Sequence, residues 1–522
     1  MKVSTGLRPV PASAGSIFAR PPVLDLASRF STALASSGEP RSPRARAEAI
    51  VRRRGIVCGM LHAIGTSERP LRVAIVGAGP SGFYTAAALL AQQQLSVSVD
   101  LFDRLPSPYG LVRYGVAPDH PKIKQVTRVF EKLCLDPRLR YLGNVEYGRD
   151  VDLDDLRLHY DQIVFAVGGQ SDRRLAVPGE DLVGSLSSTA FVAWYSHHPD
   201  FLDLPVDLDV EQAAVVGIGN VAIDVARVLA RDPDELARTD ISDGALAALR
   251  ASRIRDIHLL ARRGPVQAKC SPAELKELAQ MRGVDLVVSP RDLELDPASA
   301  EELEHEPQAQ KNLEILRAAA ARGATGAPRR IHLRFLASPV ELVGSGGRVR
   351  ALRIERNRLV PRASGLAAES TGECEDLAVE LVVRAIGYRS LPLPGLPFDD
   401  RRAIVPNAAG RVVDPASRAP SPGLYVAGWV KRGPTGLIGS NKQDGAETAA
   451  AMLADLDGCA PASAPEATAI DALLAERGVR VVDFACWQRL DRLEVERGAR
   501  AGRPRVKLGA ISEVLAALDA DD

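Results

Sequence analysis

The sequence lacks closely spaced cysteines. Its six cysteines stand far apart, and no two of them form a C-x-x-C pair or the spacing of a zinc or iron–sulfur site. This pattern is typical of reduced thiols in a cytosol-like compartment. It excludes a built-in iron–sulfur module and a redox disulfide between neighbouring residues. The cysteines are Cys58, Cys134, Cys270, Cys374, Cys459 and Cys486.

An excess of charge and a long apolar run are also absent. Lys plus Arg and Asp plus Glu number 66 each, so the overall charge does not favour nucleic acid as a partner. No run approaches the roughly 18 apolar residues that a membrane span needs. We therefore expect neither nucleic-acid binding nor a membrane span. The length of 522 residues, with 46% hydrophobic and 25% charged residues, suits two or three globular domains.

Residues 1–69 differ in composition from the rest. They are rich in Ser, Ala, Pro and Arg and hold only four acidic residues, which predicts a flexible leader. They contain no uninterrupted apolar segment of the kind that a secretory signal has, so a secretory signal is not expected. Two interpretations stay open: an organellar transit peptide, or a start site placed too early, since Met60 precedes the first clear strand. We expect a cytoplasmic protein, or one of the mitochondrial matrix if residues 1–59 are a transit peptide.

A first βαβ unit carries a nucleotide-binding pattern. The apolar strand 73–76 is followed by the G-x-G-x-x-G motif of Gly77, Gly79 and Gly82, and then by an Ala- and Leu-rich helix. The glycines allow a tight turn, close approach of a pyrophosphate and close helix packing. The next strand ends at Asp103, whose carboxylate suits ribose hydroxyls and repels a 2′-phosphate. This unit therefore predicts FAD or NAD; a glycine turn without a ligand is the alternative.

A second βαβ unit carries the opposite charge. Gly217, Gly219 and Ala222 form G-x-G-x-x-A, and the following strand ends at Arg262 and Arg263. Guanidinium groups at that place bind a 2′-phosphate through charge-assisted hydrogen bonds. The unit therefore predicts NADP(H), with a solvated surface pair as the alternative. Together the two units predict FAD and NADPH as cofactors and hydride transfer between them.

The exit of the electrons follows from the missing cysteines. Neither a redox disulfide nor a built-in iron–sulfur module is available to take electrons from a flavin. A separate one-electron carrier protein is the natural acceptor. Oxygen, as in an NADPH-dependent flavoprotein oxidase or monooxygenase, stays open. So does a non-enzymatic alternative, a nucleotide-binding scaffold that senses redox state.

Four motifs, at residues 103–126, 217–229, 261–278 and 428–439, resemble the adrenodoxin-reductase type of ferredoxin–NADP reductase. They read DRLPSPYGLVRYGVAPDHPKIKQV, GIGNVAIDVARVL, ARRGPVQAKCSPAELKEL and GWVKRGPTGLIG, and residues 487–508 resemble the end of the same family. The resemblance runs from about residue 71 to the C-terminus.

The resemblance implies a glutathione-reductase-like α/β fold. Two Rossmann-like three-layer domains are expected, with the FAD domain interrupted by the NADP domain. The expected boundaries are a leader over 1–69, FAD-domain parts over 70–174 and 391–522, and the NADP domain over 175–390. The implied activity is electron transfer from NADPH to a ferredoxin-type iron–sulfur protein, with the enzyme expected to be a monomer.

The resemblance also implies cofactor contacts. Those with FAD fall on Ser81, Asp103, Leu111, Tyr147, Trp429, Gly436, Leu437 and Ile438. Those with NADP fall on Ile218, Gly219, Asn220, Val221, Arg262, Arg263, Glu274 and Gly436. Asp103 stands where the family often has Glu, and Tyr147 where a smaller apolar residue is usual.

The glycine-rich stretch 427–449 lies far from both fingerprints. The resemblance predicts that Gly436, Leu437 and Ile438 start a helix whose N-terminus faces the flavin ring, with Trp429 beside the cofactor. Lys431 and Arg432 are left between three interpretations: contact with NADPH, with the ferredoxin or with solvent.

Three further residues are predicted near the reacting rings. His120 is expected near the nicotinamide and paired with Glu277, and Asp224 is expected to face the gap between flavin and nicotinamide. Their alternatives are a loop histidine with an ordinary hydrogen bond and a helix-surface acid. No metal site is predicted. For a typically acidic ferredoxin, Lys311, Arg317 or the basic turn Arg497–Lys507 are docking candidates, with a solvated face as the alternative.

Overall fold

The apolar run Leu71–Val76 forms the middle one of five parallel strands in a seven-stranded sheet. The computed structural model describes residues 64–363 and 365–520. Five neighbouring strands of this sheet are parallel, and an antiparallel pair completes one edge. In spatial order the strands are Asn407–Ala408, Arg411–Val413, Pro420–Val426, Gln162–Phe165, Leu71–Val76, Val97–Asp103 and Leu139–Gly143.

A second, fully parallel sheet has six strands. Most of its strands are apolar and buried. Helices cover one face of the sheet, and the three-stranded antiparallel sheet described below packs against the other. In spatial order they are Ser185–Ser187, Leu381–Arg384, Gln212–Val216, Asp256–Ala261, Arg329–Phe335 and Val284–Val288.

The order of the strands along the chain shows an insertion. The seven-stranded sheet takes strands from residues 71–165 and 407–426, and the six-stranded sheet lies between them in sequence. The predicted α/β architecture, one Rossmann-like unit interrupted by another, is confirmed. The expected return of the late strand to the first sheet is also observed, because Pro420–Val426 pairs with Gln162–Phe165. The boundaries at residues 174/175 and 390/391 stay predictions.

The sequence analysis missed a three-stranded antiparallel sheet. It consists of Ala337–Ser345, Arg348–Arg362 and Gly365–Leu377. The last two strands, called the long hairpin below, have 15 and 13 residues. Their solvent-facing charges hide the strand pattern in the sequence. A two-stranded sheet, Ser171–Asp172 with Tyr388–Arg389, joins the ends of the insertion.

Helices cover both parallel sheets. Four single turns of 3-10 helix occur at Pro199–Phe201, Pro265–Gln267, Pro290–Leu293 and Leu456–Gly458. The α-helices described are Pro80–Ala91, Leu111–Tyr114, Pro121–Lys124, Thr127–Cys134, Leu153–His159, Ser188–Tyr195, Asn220–Ala230, Pro233–Leu236, Asp243–Ala251, Pro272–Ala279, Pro297–Glu304, Pro307–Arg322, Trp429–Arg432, Ser440–Ala454, Ala467–Glu476, Phe484–Arg500 and Ile511–Asp519.

Two helices from opposite ends of the chain pack closely on one face of the seven-stranded sheet. Gly445 in the helix Ser440–Ala454 faces Thr85 in the helix Pro80–Ala91. A Cβ at Gly445 would lie only 2.8 Å from the backbone nitrogen of Thr85. The missing side chain therefore lets the backbones approach, and this contact brings the late segment beside the first glycine motif.

The last six residues of the predicted leader belong to the fold. Gly65 accepts a backbone hydrogen bond from Ser96 at 2.7 Å, and Arg69 contacts the buried Asp161 at 2.6 Å. The leader prediction is thus wrong for residues 64–69, where the chain is tied to the residues that precede two interior strands of the seven-stranded sheet. Residues 1–63 lie outside the described residues. Among the helices that the structure describes, none has the length and apolar character to cross a membrane.

The C-terminal segment ties the two sheets together through a buried charge node. Asp240 contacts Lys124 at 2.6 Å and Lys507 at 3.1 Å. Burial opposes the charge of Asp240, but the two ammonium groups hold its pKa well below its usual range. Burial lowers the pKa of Lys507 to about 7. The node joins three distant segments of the chain, and its removal should therefore weaken the whole assembly.

We expect Asp240→Asn to lower the free energy of unfolding by about 3–5 kcal/mol, because it leaves buried cations without their counter-ion. Denaturant unfolding followed by circular dichroism checks this. The matched control is Asp243→Asn, since Asp243 pairs with Arg503 but its side chain is 70% exposed. The control should cost no more than about 1 kcal/mol. Equal losses in both variants would contradict the buried node.

Candidate active site

The first glycine loop is tight where it touches the sheet and open at its middle glycine. Gly77 has φ +112° and donates to the carbonyl of Phe102 at 2.8 Å. A Cβ there would lie 2.6 Å from the carbonyl oxygen of Ala166, and a Cβ at Gly82 would lie 2.0 Å from that of Gly77. At Gly79 no atom lies within 4 Å of a Cβ position. The loop therefore leaves open space where a pyrophosphate would approach.

The second loop repeats this geometry. Gly217 has φ +133° and donates to the carbonyl of Leu260 at 2.9 Å. A Cβ on it would lie 2.2 Å from the carbonyl oxygen of Ala385, whereas Gly219 again faces open space. Ala222 is fully buried, so this loop accommodates one methyl group that the first loop excludes. In both loops the following helix begins without a side-chain cap, which leaves its N–H groups for a ligand.

Asp103 braces the first loop. One carboxylate oxygen accepts from the N–H of Ala78 and the other from the N–H of Leu105, both at 2.9 Å. Burial raises the pKa of Asp103, although these two hydrogen bonds favour the charged form. The predicted contact with a ribose stays a prediction, and it would use the lone pairs that the backbone leaves free.

Ser81 joins the first loop to the late segment. Its hydroxyl donates to Asn441 Oδ1 at 2.9 Å. It also fills the space beside Gly428, where a Cβ would lie 2.0 Å from the Ser81 oxygen. Ser81, a predicted FAD contact from the first part of the chain, is thus positioned by residues of the late segment.

Leu111 and Tyr147 flank the same region. Leu111 follows Gly110, whose Cβ position lies 3.1 Å from Cα of Gly79 in the first loop. Tyr147 packs edge-on against Phe165, the last residue of its strand, with ring centroids 5.0 Å apart. Both predicted residues therefore lie near the carboxyl edge of the seven-stranded sheet, where open α/β sheets bind ligands.

The late segment differs from the prediction in its helix start. The helix begins at Ser440, and Gly436, Leu437 and Ile438 form the loop before it. Gly436 has φ +82°, and the Ser440 hydroxyl donates to the carbonyl of Leu437 at 2.6 Å. The predicted helix start at Gly436 is wrong, because its left-handed backbone forms a turn. The helix begins four residues later.

Lys431 and Arg432 are both engaged within the protein. Lys431 is buried and contacts Asp444 at 3.2 Å and Glu447 at 2.5 Å. Arg432 contacts Asp444 at 3.1 Å. The same carboxylate accepts from the N–H of Gly428 at 2.5 Å. Contact with NADPH, with the ferredoxin or with solvent does not fit Lys431. Instead, Lys431 and Arg432 bind carboxylates of the helix Ser440–Ala454 and hold the loop to that helix.

Trp429 stacks on Tyr388 in the stretch that returns from the insertion. Their ring centroids lie 5.0 Å apart at 37°, and the indole N–H donates to the carbonyl of Thr435 at 3.1 Å. Burial raises the pKa of Tyr388, and the nearby charges of Asp172 and Asp224 raise it further. Trp429 and Asp224 therefore both lie near Tyr388, and their predicted positions beside the flavin and nicotinamide stay predictions.

A buried arginine organises the charges between the two units. Arg227 is fully buried. It contacts Asp119 at 2.7 Å, Asp224 at 2.7 Å and Glu274 at 2.9 Å. Burial raises the pKa of Asp224 to about 6, even though Arg227 favours its charged form. The predicted residues Asp224 and Glu274 thus lie on one guanidinium, together with an aspartate from the segment after the first loop.

His120 is paired as predicted. Its Nε2 lies 3.0 Å from Glu277 Oε2, and Glu274 lies 3.7 Å from Nδ1. Burial disfavours the charged imidazole, but the hydrogen bond to Glu277 and the charges of Glu274 and Asp224 together outweigh it and raise the pKa of His120. Ligand atoms of these three side chains fall within 4.8 Å of one another. Arg227 balances their charge, and the expectation of no metal stays a prediction.

Asn220 connects the second loop to the helix that carries Glu274. Its Oδ1 accepts from the N–H of Ser271 at 2.8 Å, and Ser271 caps that helix. The flanking Ile218 and Val221 are half-buried. The residues predicted to contact NADP at this loop therefore lie together. Gly436, another predicted NADP contact, belongs to the late segment instead.

The arginine pair ends the strand after the second loop. Arg262 is exposed, and its guanidinium has no hydrogen-bond or ion-pair partner among residues 64–363 and 365–520. Arg263 is half-buried, with Nη1 3.5 Å from the carbonyl of Leu366. Burial lowers the pKa of Arg263, and the charge of Arg262 lowers it further. Two neighbouring cations without a carboxylate partner suit an anion, and their contact with NADP stays a prediction.

Comparisons with known proteins agree with this geometry. Residues 71–297 match the model of the pyridine nucleotide-disulphide oxidoreductases. The NADPH-ferredoxin reductase FprA of Mycobacterium tuberculosis strain H37Rv is 46% identical, over 86% of this chain and 99% of its own. Human mitochondrial NADPH:adrenodoxin oxidoreductase is 41% identical, over 87% and 93%. The chain belongs to the adrenodoxin-reductase-type ferredoxin–NADP reductases.

Solved structures of this reductase family have the same fold. The structure of Mycobacterium tuberculosis FprA in complex with NADPH superposes with a TM-score of 0.81 at 44% identity. The match covers 86% of this chain and 100% of the FprA chain.

Sequence reasoning missed Arg227 and Asp119. The signal was present, since Arg227 follows Asp224 by three residues on a helix whose other inward positions are apolar. A lone arginine among buried aliphatic residues needs an internal counter-ion. Asp119 had no comparable signal, because its contact with Arg227 spans 108 residues.

We expect Glu277→Gln to lower the pKa of His120, because the variant removes the negative charge that stabilises the imidazolium. The midpoint is measured by histidine NMR titration, with His120→Gln identifying the resonance. The charged form of His120 should then be lost at lower pH than in the parent. Glu235→Gln, which removes an exposed partner of Arg231, is the control. An unchanged midpoint in Glu277→Gln would contradict the pairing.

Proposed function

We propose that this reductase carries electrons from NADPH to a ferredoxin-type iron–sulfur protein, with FAD at the first loop and NADP(H) at the second. The observation that carries the assignment is the contrast between the two units. They share one backbone geometry, yet one ends in Asp103 and the other in the unpartnered Arg262 with Arg263. Bound FAD supplies the exchange between two-electron and one-electron transfer.

The arginine pair gives the preference for NADPH. Each charge-assisted hydrogen bond to a phosphate contributes on the order of 1.5–3 kcal/mol. Two such bonds would favour NADPH over NADH by roughly a hundredfold or more. NADH, which lacks the 2′-phosphate, gains nothing from them.

The buried charges hold the two units in a fixed relation. Asp119 and His120 follow the first loop in the chain, whereas Arg227, Glu274 and Glu277 belong to the inserted unit. Their contacts cross the junction at which the flavin and nicotinamide ends are proposed to meet. We assign them a positioning role, because transfer between two bound rings depends on distance and orientation.

The iron–sulfur partner requires an accessible basic surface if it is acidic. In the basic turn Arg497–Lys507, Arg500 is exposed and Arg497 contacts Glu513, so only part of its charge is accessible. Lys507 is buried on Asp240, and Arg505 contacts Asp491 at 2.6 Å. Lys311 and Arg317 are exposed and stay candidates.

The oligomeric state, the location and the competing functions are also proposals. Both nucleotide loops and the late segment belong to one chain, which suits a monomer. A cytoplasmic location remains our expectation, with the mitochondrial matrix as the alternative. The oxidase or monooxygenase and the redox-sensing scaffold are the competing functions, and the acceptor experiment below separates them.

We expect the double substitution Arg262→Ala/Arg263→Ala to raise the KM for NADPH by about a hundredfold and to leave the KM for NADH nearly unchanged. Flavin bleaching by each nucleotide under anaerobic conditions measures the effect. The matched control is Arg358→Ala, which removes a guanidinium paired with Glu369 on the exposed hairpin. Parental selectivity in the double variant would contradict the assignment of the pair.

The acceptor is tested by NADPH-driven reduction of cytochrome c with and without an added ferredoxin. We expect reduction to depend on the ferredoxin, because the chain has no closely spaced cysteines to pass electrons onward. Rapid oxygen consumption without the carrier would favour an oxidase or monooxygenase. A colourless protein, or one whose flavin NADPH does not reduce, would favour the scaffold.

A further inference from the structure

The backbone that carries the arginine pair is held by two residues from much later in the chain, Leu336 and Asn357. Asn357 Nδ2 donates to the carbonyl oxygen of Arg262 at 2.8 Å, across 95 residues. The N–H of Leu336 donates to the carbonyl oxygen of Arg263 at 3.1 Å. These two supports are themselves joined, since the N–H of Asn357 donates to the carbonyl of Leu336 at 2.7 Å. Both peptide carbonyls of the pair are therefore fixed by one brace.

Both supports depart from regular strand geometry. Leu336 has φ +56°, a left-handed conformation that residues with a side chain rarely adopt. The pairing of the long hairpin is interrupted between Glu355 and Asn357. Irregular pairing of this kind redirects a side chain and is common beside functional sites. Here it accompanies an asparagine that points away from the exposed face of the hairpin and is only 5% exposed.

The brace requires an amide at residue 357. One donor contact of Asn357 Nδ2 goes to the carbonyl of Arg262, and the other goes to Ser338 Oγ at 2.7 Å. An alanine has no donor, and a carboxylate would place negative charge against the carbonyl oxygen of Arg262. The two contacts can be tested separately, because the bond from Asn357 to Ser338 does not involve the arginine pair.

The outer part of the hairpin closes on the pair. Arg263 Nη1 lies 3.5 Å from the carbonyl of Leu366, and a Cβ at Gly264 would lie 3.5 Å from a methyl carbon of Leu359. The hairpin thus contacts the turn after Arg263 as well as its backbone. The guanidinium of Arg262 keeps no partner in the described part of the chain, so its backbone is held while its guanidinium is left free for a ligand.

We infer that Asn357 is a positioning residue that sets the preference of this reductase for NADPH over NADH. The inference rests on the proposed function, in which Arg262 and Arg263 bind the 2′-phosphate. Charge-assisted hydrogen bonds from planar guanidinium groups depend on their direction, and Asn357 fixes the backbone from which both side chains extend. His120 and Glu277 lie outside this brace, so the nicotinamide end does not depend on it.

The test uses the FAD-loaded full chain and calorimetry with two probes, 2′,5′-ADP and 5′-AMP. We expect Asn357→Ala and Asn357→Asp to weaken 2′,5′-ADP about tenfold, as when one charge-assisted bond is lost. Binding of 5′-AMP should not change. The KM for NADPH should rise with kcat unchanged. Ser338→Ala removes the other contact of the same amide and should keep the parental ratio of affinities.

Three outcomes would overturn the inference. In the first, both Asn357 variants keep the parental ratio while Arg262→Ala/Arg263→Ala loses it. In the second, the variants weaken both probes equally, which a merely structural role predicts. In the third, Ser338→Ala changes the ratio as much as they do. If the double arginine variant also keeps the ratio, the assignment of the pair fails first. Asn357→Asp preserves side-chain volume and serves if Asn357→Ala does not fold.

Discussion

The relation between the two halves of this reductase depends on one buried guanidinium. Arg227 has lost all contact with water, and a charge in that state is tolerated only when close counter-ions surround it. Asp119 comes from the segment after the first loop, whereas Asp224 and Glu274 come from the inserted unit. A shift of one unit against the other would leave that charge unpaired. The electrostatics therefore favour one relative placement of the two loops.

The two glycine loops beside this junction have the same backbone geometry. Gly77 and Gly217 make the same turn, donate to the same kind of carbonyl and press against a neighbouring strand in the same way. The loops differ by the methyl group of Ala222 and, more decisively, by what stands at the end of the next strand. One unit ends in a carboxylate that accepts from backbone N–H groups, and the other ends in two guanidiniums without a carboxylate partner. The proposed assignment of FAD to one loop and NADP(H) to the other rests on this contrast.

Local features of the site were predictable from sequence, whereas long-range ones were not. The glycine loops, Asp103 and the arginine pair follow from strand–turn–helix patterns a few residues long. The partners of Lys431 and Asn357 depend on segments that meet only after folding. The start of the late helix was misplaced because a glycine-rich loop gives no periodic signal. The long hairpin was missed because its charged, exposed strands lack an apolar alternation.

The insertion also has a consequence for the order of folding during synthesis. All strands of the six-stranded sheet lie within residues 185–384, so that sheet is complete in the growing chain while the seven-stranded sheet still lacks Pro420–Val426. The strand Gln162–Phe165 keeps one edge unpaired until the ribosome has passed it by more than 250 residues and Pro420–Val426 has been made. Lys507 closes the charge node later still. The unit that begins first is thus the one that finishes last, and exposed strand edges in that interval are where chaperones would be needed most.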